Sequence, residues 1–498
     1  MAPGDFAKFV ITYPFFFGSG YKNLLVHWPL TNNGEETVVS LTLKTKIKPT
    51  ALAIGLAALL PLSASAADAD TEARIQQLEQ QVRTLLEKLE AQNTALSQQL
   101  NQQQQQINEK VVPAKGAVIA TTNGRSLSFK SVDDAYSFQV GGRLQADAAF
   151  YDADDNNFGD GTAIRRLFLD VRGTFAKDWN YRFQYDFARP GSSDSSARGI
   201  RDAWIQYTGF GAKRITVGSF KEPFGLEHLT SGLYTTFNER GVTDLFSPDR
   251  HLGVGLSSGG AHWSAAVGVF GERPEGDVAS EGDEGWDLTG RFSYAPLAEP
   301  GNVVHLGVAG RYHKPEDSTN ELSFSSRPES NITGVRLIDT GVVPGVDDFQ
   351  ALGLEAAGIF GPFSVQAEYV ATRLNRGGAL DDVDLSAWYA YASFFLTGES
   401  RAYKADEGII DRTRVARPVG SGGIGAWEVA LRYSNADLSD ANIIGGELEN
   451  LTLGLNWYVL DNLRFSANYT HVLDVDRPGN LYDGLDLNTL TVRAQIDF

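Results

Sequence analysis

The last nine residues, LTVRAQIDF (490–498), carry the pattern that decides the fold. Apolar side chains stand at every second position from Leu490 to Phe498, and polar side chains such as Arg493 and Gln495 fill the positions between them. Because successive side chains of an extended chain point to opposite faces, this alternation predicts a strand with one apolar and one polar face. The chain ends on an aromatic residue of the apolar face.

The same two-residue period recurs throughout residues 136–498. We identify sixteen such segments, which begin near residues 136, 163, 178, 199, 212, 251, 261, 284, 302, 350, 362, 385, 424, 449, 461 and 486. Short turns alternate with long connections between them. Amphipathic strands of about 10 residues with this alternation are typical of an outer-membrane barrel. The sequence therefore predicts an all-β transmembrane barrel of about 16 antiparallel strands over residues 136–498.

The residues before residue 67 resemble an export signal. An apolar run, ALAIGLAALLPL (51–62), follows Lys44, Lys46 and Lys48 and precedes the small residues ASA (64–66). This run is shorter than the roughly 20 residues that span a bilayer as a helix, and its flanks match those of a signal peptide. We interpret residues 39–66 as a signal peptide. We expect residues 1–38 to be a mis-annotated upstream extension; an unusually long leader is the alternative.

A heptad repeat follows the export signal. Its apolar positions are Ile75, Val82, Leu89 and Leu96, with Leu78 and Leu85 between them. This spacing predicts an N-terminal α-helical coiled coil of parallel copies, over residues 67–112 and in the periplasm. A solitary amphipathic helix is the alternative. Residues 113–135 are expected to be a linker.

Composition excludes several classes of function. The 498 residues carry 62 acidic and 43 basic side chains, a net charge of −19, which disfavours binding to nucleic acid. The absence of cysteine excludes thiol chemistry and cysteine-based metal sites. The segment GLSSG (255–259) matches the G-x-S-x-G motif, but it falls at a predicted hairpin turn without the helix that a nucleophile elbow needs. We therefore expect no enzyme activity, catalytic residue, cofactor or metal.

Strand alternation also assigns side chains to the lumen of the barrel. The basic residues on these inward positions include Arg143, Arg182, Arg291, Arg311 and Arg432, and inward carboxylates nearly balance them. Selectivity must then come from loops inside the lumen. The long connection 221–250, which contains Lys221, His228 and Arg240, is the best candidate for a constriction loop. The connection 398–425, which contains Lys404, either folds back into the pore mouth or is a solvated turn.

Several segments resemble the OprO/OprP family of phosphate- and pyrophosphate-selective porins. They are GGRLQAD (141–147), RRLFLD (165–170), APLAEPGNVVHLG (295–307), LTGESRAYK (396–404), GAWE (425–428) and LGLNWY (453–458). The resemblance covers the whole barrel. It implies a homotrimeric anion channel in the bacterial outer membrane, in contact with lipid and lipopolysaccharide, with a ladder of basic residues leading to a phosphate site. The terminal Phe498 likewise resembles the signal read by the barrel assembly machinery, which is the expected partner in assembly.

The resemblance assigns particular residues to the anion path. It implies that Arg165 and Arg166 lie near the ladder, Arg240 at the constriction, Arg327 in the loop after the ninth strand and Lys404 in a basic periplasmic turn. His228 stands where phosphate-selective members have a lysine, and its charge would vary near physiological pH. The resemblance thus implies a water-filled channel for passive diffusion of small anions such as phosphate or polyphosphate. A general diffusion porin, even a cation-preferring one, is the alternative.

Overall fold

The computed structural model describes residues 21–32, 35–46, 118–122, 126–153, 158–188, 199–274, 283–317 and 319–498, together with helical positions between 77 and 102. The chain divides into two compact units, residues 1–112 and 113–498.

The first unit contains a β-hairpin and a helical segment. Strand β1 (Tyr21–Asn32) pairs with β2 (Glu35–Lys46). The described positions between 77 and 102 are helical, and Leu85, Leu89 and Leu96 are 57–65% exposed there. These positions are helical, as predicted, whereas the association of several such helices in a coiled coil stays a prediction. The predicted signal-peptide run 51–62 and the heptad residues Ile75, Leu78 and Val82 lie outside the described residues.

None of the helices among the described residues combines the length and hydrophobicity that crossing a membrane requires.

The second unit is a closed antiparallel barrel, and sixteen strands of its described part form the ring. They are β5 (Ser137–Ala153), β6 (Gly161–Phe175), β7 (Trp179–Asp186), β8 (Ile200–Phe210), β9 (Lys213–Lys221), β10 (Arg250–Gly259), β11 (Trp263–Phe270), β12 (Trp286–Glu299), β13 (Asn302–Lys314), β16 (Val346–Phe360), β17 (Phe363–Arg376), β18 (Val383–Phe395), β21 (Ala426–Asp440), β22 (Ile443–Leu460), β23 (Leu463–Asp476) and β24 (Leu487–Asp497). The predicted sixteen-stranded barrel is confirmed, and each predicted start lies within a few residues of an observed strand.

Three short hairpins accompany the ring. Strands β3 (Val118–Thr122) and β4 (Leu127–Ser131) pair with each other, and β4 pairs with the first residues of β5. The predicted linker 113–135 thus contains a hairpin that extends the sheet. Strands β14 (Ser325–Ser326) and β15 (Ile338–Asp339) lie between β13 and β16, and β19 (Ala402–Lys404) and β20 (Ile409–Asp411) lie between β18 and β21.

The last strand closes the ring against the first. β24 pairs with β5 from Leu487 opposite Ala153 to Asp497 opposite Arg143. The Arg493 guanidinium on β24 binds the Asp147 carboxylate directly opposite on β5 at 2.7 Å. The terminal residue completes the seam, because the Gly142 amide donates to the Phe498 carbonyl at 2.8 Å and the Phe498 amide donates back at 3.0 Å.

The two faces of the wall differ as the alternation predicts. On β24, Leu490 and Ile496 are exposed on the outside, whereas Thr489 and Arg493 are buried inside. An aromatic stack on the outer face, in which half-buried Trp457 lies between half-buried Trp427 and exposed Phe465, lies near the end of the barrel where the connections are short. Apolar outer faces bordered by aromatic residues are typical of barrels that stand in lipid.

Three connections fold into the lumen in the part of the barrel that the structure describes. Loop L3 (residues 222–249) contains the single-turn helix α1 (Leu226–Leu229) and a 3-10 helix (Val242–Phe246). Loop L5 (residues 315–345) contributes Leu337, which is buried with Phe224 and Phe246 of L3 in an apolar cluster against the inner wall. Turn T6 (residues 396–425) enters from the opposite end. The lumen is therefore packed over much of its section, and L3 and T6 border the open part.

We expect Gly142→Ala to weaken the seam between β5 and β24. A Cβ atom at this position would lie 2.7 Å from the Phe168 carbonyl oxygen and 2.6 Å from the Phe498 ring, so the backbone must shift. Overpacking of this kind costs about 1–3 kcal/mol. Urea unfolding of the purified barrel measures the loss. Gly310→Ala on β13 is the control, because its Cβ would meet nothing within 4 Å; equal stability of the two variants would contradict the prediction.

Candidate functional site

Loop L3 is fixed to the wall through backbone groups at both of its halves. The Leu226 and Glu227 amides donate to the Glu368 carboxylate of β17 at 2.9 and 2.7 Å. In the second half, the Asn238 amide donates to the Asn468 side chain of β23 at 2.7 Å. Because donors at the start of α1 would otherwise be unsatisfied, these bonds fix the position of the helix in the lumen.

Glu239 of L3 binds two arginines of the barrel wall. Its carboxylate binds Arg165 of β6 at 2.9 Å and Arg493 of β24 at 2.6 Å. Burial alone would raise the pKa of Glu239, but Arg165, Arg493 and Arg166 hold it well below its usual range. Glu239 is therefore ionised, and it links L3 to the strand that closes the barrel.

A β-bulge explains why two adjacent arginines of β6 both face inward. The ladder between β5 and β6 shifts there, so that Gln145 pairs with Arg166 while Ala146 pairs with Ile164, and Arg165 is the extra residue. Arg165 binds Glu239, and Arg166 donates to the Gln145 side chain at 2.8 Å. Strict alternation would point one of them outward, whereas a bulge re-aims side chains.

Turn T6 folds back into the lumen and meets L3. Its Asp406 carboxylate binds Arg214 of β9 at 2.8 Å, and the Gly408 carbonyl accepts from Arg291 of β12 at 2.8 Å. Its Arg412 guanidinium donates to the Tyr234 hydroxyl of L3 at 3.0 Å. The sequence left two interpretations of this connection, a segment that folds back into the pore mouth and a solvated turn. The structure shows the first.

A cavity of about 400 Å³ lies between L3, T6 and the inner wall formed by β5–β9. Ten basic side chains line it: Arg143, Arg166, Arg172, Arg182, Arg201, Lys221, Arg240, Arg250, Lys404 and Arg412. Five acidic side chains line it: Asp170, Asp202, Glu407, Asp411 and Asp497. The cavity is thus strongly electropositive in a chain whose net charge is −19.

Ion pairs neutralise only part of this positive charge. Arg250 binds Asp202 at 2.6 Å, Arg182 binds the same carboxylate at 2.9 Å, and Arg201 binds Asp249 at 2.9 Å. Arg412 pairs with Asp497, Arg240 lies 3.7 Å from Asp244, and Lys404 lies 3.9 Å from Glu407 and Asp411. In the described part of the chain, the lining cations with no carboxylate within ion-pair distance are Arg143, Arg166, Arg172 and Lys221.

Three of these cations are held by neutral groups. Arg143 stacks over the Phe168 ring at 4.6 Å, Arg166 donates to Gln145, and the Lys221 ammonium donates to the His228 carbonyl. Among the described residues, no carboxylate lies within ion-pair distance of these three groups to compete with an anion in the cavity.

The sequence predictions for the site divide into two groups. Arg143, Arg166, Arg182, Lys221, Arg240 and Lys404 line the cavity. Arg165, His228, Arg291, Arg311, Arg327 and Arg432 do not. Arg165 instead holds Glu239, and Arg327 donates to Asn331 within L5 at 2.7 Å.

Three inward arginines are neutralised beneath the loops. Arg291 binds Glu355 at 2.6 Å, Arg311 binds Asp287 at 2.6 Å, and Arg432 pairs with Glu329 of L5. Alternation correctly predicted their inward direction. It could not predict their acidic partners, because L5 and the opposing strands lie far away in the sequence.

His228 is buried rather than presented to the cavity. Its Nδ1 atom lies 2.6 Å from the Asp244 carboxylate. Burial lowers the pKa of His228 to about 4, although Asp244 opposes the shift. The expectation that its charge varies near physiological pH is therefore wrong, because the neutral imidazole persists there.

Sequence reasoning missed Arg201 and Tyr234 as lining residues. Arg201 and Asp202 are neighbours in β8, yet both line the cavity, and the ladder between β7 and β8 is irregular at this end, between Phe183 and Tyr185. Tyr234 belongs to L3, where no strand period applies. The Arg412 guanidinium lies 5.0 Å from its ring.

Comparison with protein families gives one match that spans the barrel. The family described as phosphate-selective porin O and P matches residues 138–498. Porin O of Pseudomonas aeruginosa is 31% identical over 391 residues, which cover 72% of this chain and 88% of the relative. An uncharacterized protein of Caulobacter vibrioides is 31% identical over 404 residues, covering 78% of each.

Among solved structures, an anion-selective porin from Comamonas acidovorans aligns at 16% identity with a TM-score of 0.46, covering 73% of this chain and 100% of its own. The outer-membrane channel DcaP of Acinetobacter baumannii aligns at 15% identity with a TM-score of 0.43, covering 74% of this chain and 99% of its own.

We expect Glu239→Gln to make the lumen more attractive to anions. The substitution removes the charge that compensates Arg165 and Arg493, so the anion-to-cation permeability ratio should rise about twofold. The zero-current potential in a planar bilayer under a salt gradient measures it. Asp384→Asn is the matched control, since that carboxylate is 55% exposed and paired with Arg373 outside the cavity. A ratio that rises equally in both variants, or falls in Glu239→Gln, would sink the idea.

We expect the wild-type protein and His228→Asn to have the same selectivity from pH 8 down to about pH 5. The low pKa of His228 keeps the ring neutral over this range, so only stronger acid adds a positive charge to L3. Zero-current potentials measured at half-unit pH steps test this. A divergence of the two curves centred near pH 6.5 would show that the ring titrates normally.

Proposed function

The chain belongs to the family of phosphate-selective porins O and P, and we propose that it forms a water-filled outer-membrane channel for the passive diffusion of small anions. Phosphate or polyphosphate is the proposed solute. The membership supports the bacterial outer membrane as the location and a channel rather than an enzyme as the activity.

The observation that carries the proposal is the charge of the cavity between L3 and T6. Ten basic side chains face five acidic ones there, although acidic residues outnumber basic ones in the whole chain. Clefts lined by one sign of charge concentrate ions of the opposite sign. The acidic excess of the chain therefore lies elsewhere, and it does not argue for a cation-preferring pore.

The chemistry of the lining cations favours oxyanions. Guanidinium groups present paired donors that match two oxygens of a phosphate, whereas an ammonium acts as a point charge. Arg143, Arg166 and Lys221 offer both kinds of group without a carboxylate competitor. Arg240 lies beside them in L3, although its guanidinium lies 3.7 Å from the Asp244 carboxylate and donates to the Glu227 and Thr230 carbonyls.

A general anion porin without phosphate specificity is the second candidate. The ion pairs that occupy Arg182, Arg201, Arg250 and Arg412 favour it, because each pair removes a cation from the path. The buried His228 also leaves one fewer cation at the constriction than a lysine there would supply. The two candidates differ in whether phosphate competes with chloride.

The assembly that we propose is a homotrimer whose N-terminal helices associate as a parallel coiled coil in the periplasm. The exposed Leu85, Leu89 and Leu96 support this, since a/d stripes bury their leucines against other helices. The outer apolar surface would contact lipid and lipopolysaccharide. Phe498, at the end of the closing strand, is the proposed signal for the barrel assembly machinery.

The decisive experiment measures zero-current potential and chloride conductance in planar bilayers while phosphate is added. We expect strong anion selectivity and a chloride conductance that phosphate reduces. Arg166→Gln and Lys221→Gln should each lower the permeability ratio about twofold and weaken the phosphate effect, because each removes an uncompensated charge from the cavity.

Arg373→Gln is the charge-matched control, since its side chain is 55% exposed and paired with Asp384 away from the cavity. Selectivity without phosphate block would favour the general anion porin. Weak or cation selectivity in the wild-type protein would contradict both candidates.

The coiled coil is testable by cysteine crosslinking, because the natural chain has no cysteine. Leu89 stands at a seam position of the heptad and Glu87 at the outermost position. In a parallel coiled coil, Leu89→Cys should form an intermolecular disulfide in most chains under mild oxidation, and Glu87→Cys should form little. Non-reducing electrophoresis of the folded protein measures the dimer band. Equal crosslinking at both positions would contradict a specific seam.

A further inference from the structure

Four chemically suited side chains converge on the inner wall at the long-loop end of the barrel. Glu222 is the first residue of L3, His251 lies on β10, Asp287 on β12 and His313 on β13. Asp287 and His313 stand directly opposite each other in the ladder between β12 and β13. We call these four residues the mouth cluster. They come from four separate segments, so no sequence motif for a metal site indicated them.

The cluster is compact and shielded from solvent. Ligand atoms of Glu222, His251 and Asp287 all lie within 4.8 Å of one another, and these residues are 0%, 8% and 1% exposed. His251 contacts Glu222 through Nδ1, and the same atom lies 3.8 Å from Asp287. The Nδ1 atom of His313 lies 3.2 Å from the Asp287 carboxylate, which is an ion-pair distance, but this buried nitrogen has no hydrogen-bond partner in the described residues.

Neighbouring donors orient both carboxylates. The Thr289 hydroxyl donates to the Glu222 oxygen Oε2, while Oε1 of the same carboxylate faces His251. Arg311 donates to the two oxygens of Asp287 at 2.6 and 3.1 Å. Hydrogen-bonded carboxylates and oriented imidazoles are what metal sites in proteins use around their ligands.

We propose that the mouth cluster binds a divalent transition-metal ion, with Zn²⁺ as the best-matched example. Two imidazoles and two carboxylates form a mixed nitrogen and oxygen donor set that suits zinc, whereas Ca²⁺ and Mg²⁺ prefer oxygen ligands alone. Binding through Nδ1 of His251 requires that atom to carry no proton, so the ring proton must stand on Nε2. The bound ion would tie the start of L3 to β10, β12 and β13.

The competing explanation is a metal-free hydrogen-bond network that fixes the base of L3. That network would account for Glu222, His251 and Thr289. It leaves the buried Nδ1 atom of His313 within ion-pair distance of Asp287 but without a hydrogen bond in the described residues. A metal ligand role would use this nitrogen, and it would also explain why ligand atoms of Glu222, His251 and Asp287 lie within 4.8 Å of one another.

The test is a Zn²⁺ titration of the folded, full-length protein in detergent, purified without a histidine tag and treated with a chelator beforehand. Calorimetry should give one site per chain with a dissociation constant in the micromolar range or below. His251→Asn, Asp287→Asn and His313→Gln should each weaken binding by about tenfold or more. His471→Asn is the matched control, because His471 forms a separate contact with Asn488 on the exposed side of β23 and β24.

Heat-modifiable electrophoretic mobility confirms that each variant remains a folded barrel. His313→Gln is the variant least able to disturb folding, since Nδ1 of His313 makes no hydrogen bond. X-ray absorption at the zinc edge should detect two imidazole ligands in the wild-type protein. The proposal is overturned if zinc does not saturate a single site, if His313→Gln and His471→Asn bind zinc equally, or if the bound zinc has no imidazole ligand.

Discussion

Closure of the hydrogen-bond ladder between β24 and β5 is the constraint on which the rest of the structure depends. In lipid, an unpaired backbone amide or carbonyl costs several kilocalories per mole, so a spanning sheet has to close on itself. The pairing runs along β24 to Asp497, and the terminal Phe498 continues it with two bonds to Gly142. Strand tilt, the inward direction of the arginines and the width available to L3 all follow from a ring of sixteen strands whose seam is at the chain terminus.

The seam and the loop in the lumen are one charged assembly. Arg493 binds Asp147 across the seam and Glu239 of L3 in the interior, so the closing strand and the loop share one guanidinium. Removing one member of such an arrangement leaves a buried charge less compensated, which costs stability. The loops are therefore positioned by the wall that they narrow, and the open path lies where their acidic partners are fewest.

Features that depend on neighbouring residues could be predicted from the sequence. Contacts between segments that are distant in the sequence could not. Period-two alternation predicted the strands and the inward face because it depends only on neighbouring residues. The bulge that re-aims Arg165 breaks that rule by a single residue, which alternation cannot detect. The ion pair between Arg432 and Glu329 joins positions about a hundred residues apart, and the burial of His228 depends on how L3 packs. The predicted cations therefore point inward, but they differ in how accessible they are from the cavity.

The stacking of Arg143 on Phe168 shows a second way of holding a cation in place. A carboxylate partner orients a guanidinium and cancels its charge, whereas an aromatic ring orients it and leaves the charge nearly whole. Ring-supported cations attract a passing ion without forming the closed salt bridges that an ion would have to open. A channel wall of this kind favours short residence times of the ion over tight binding. The attraction for the ion and the rate at which ions pass can therefore rise together.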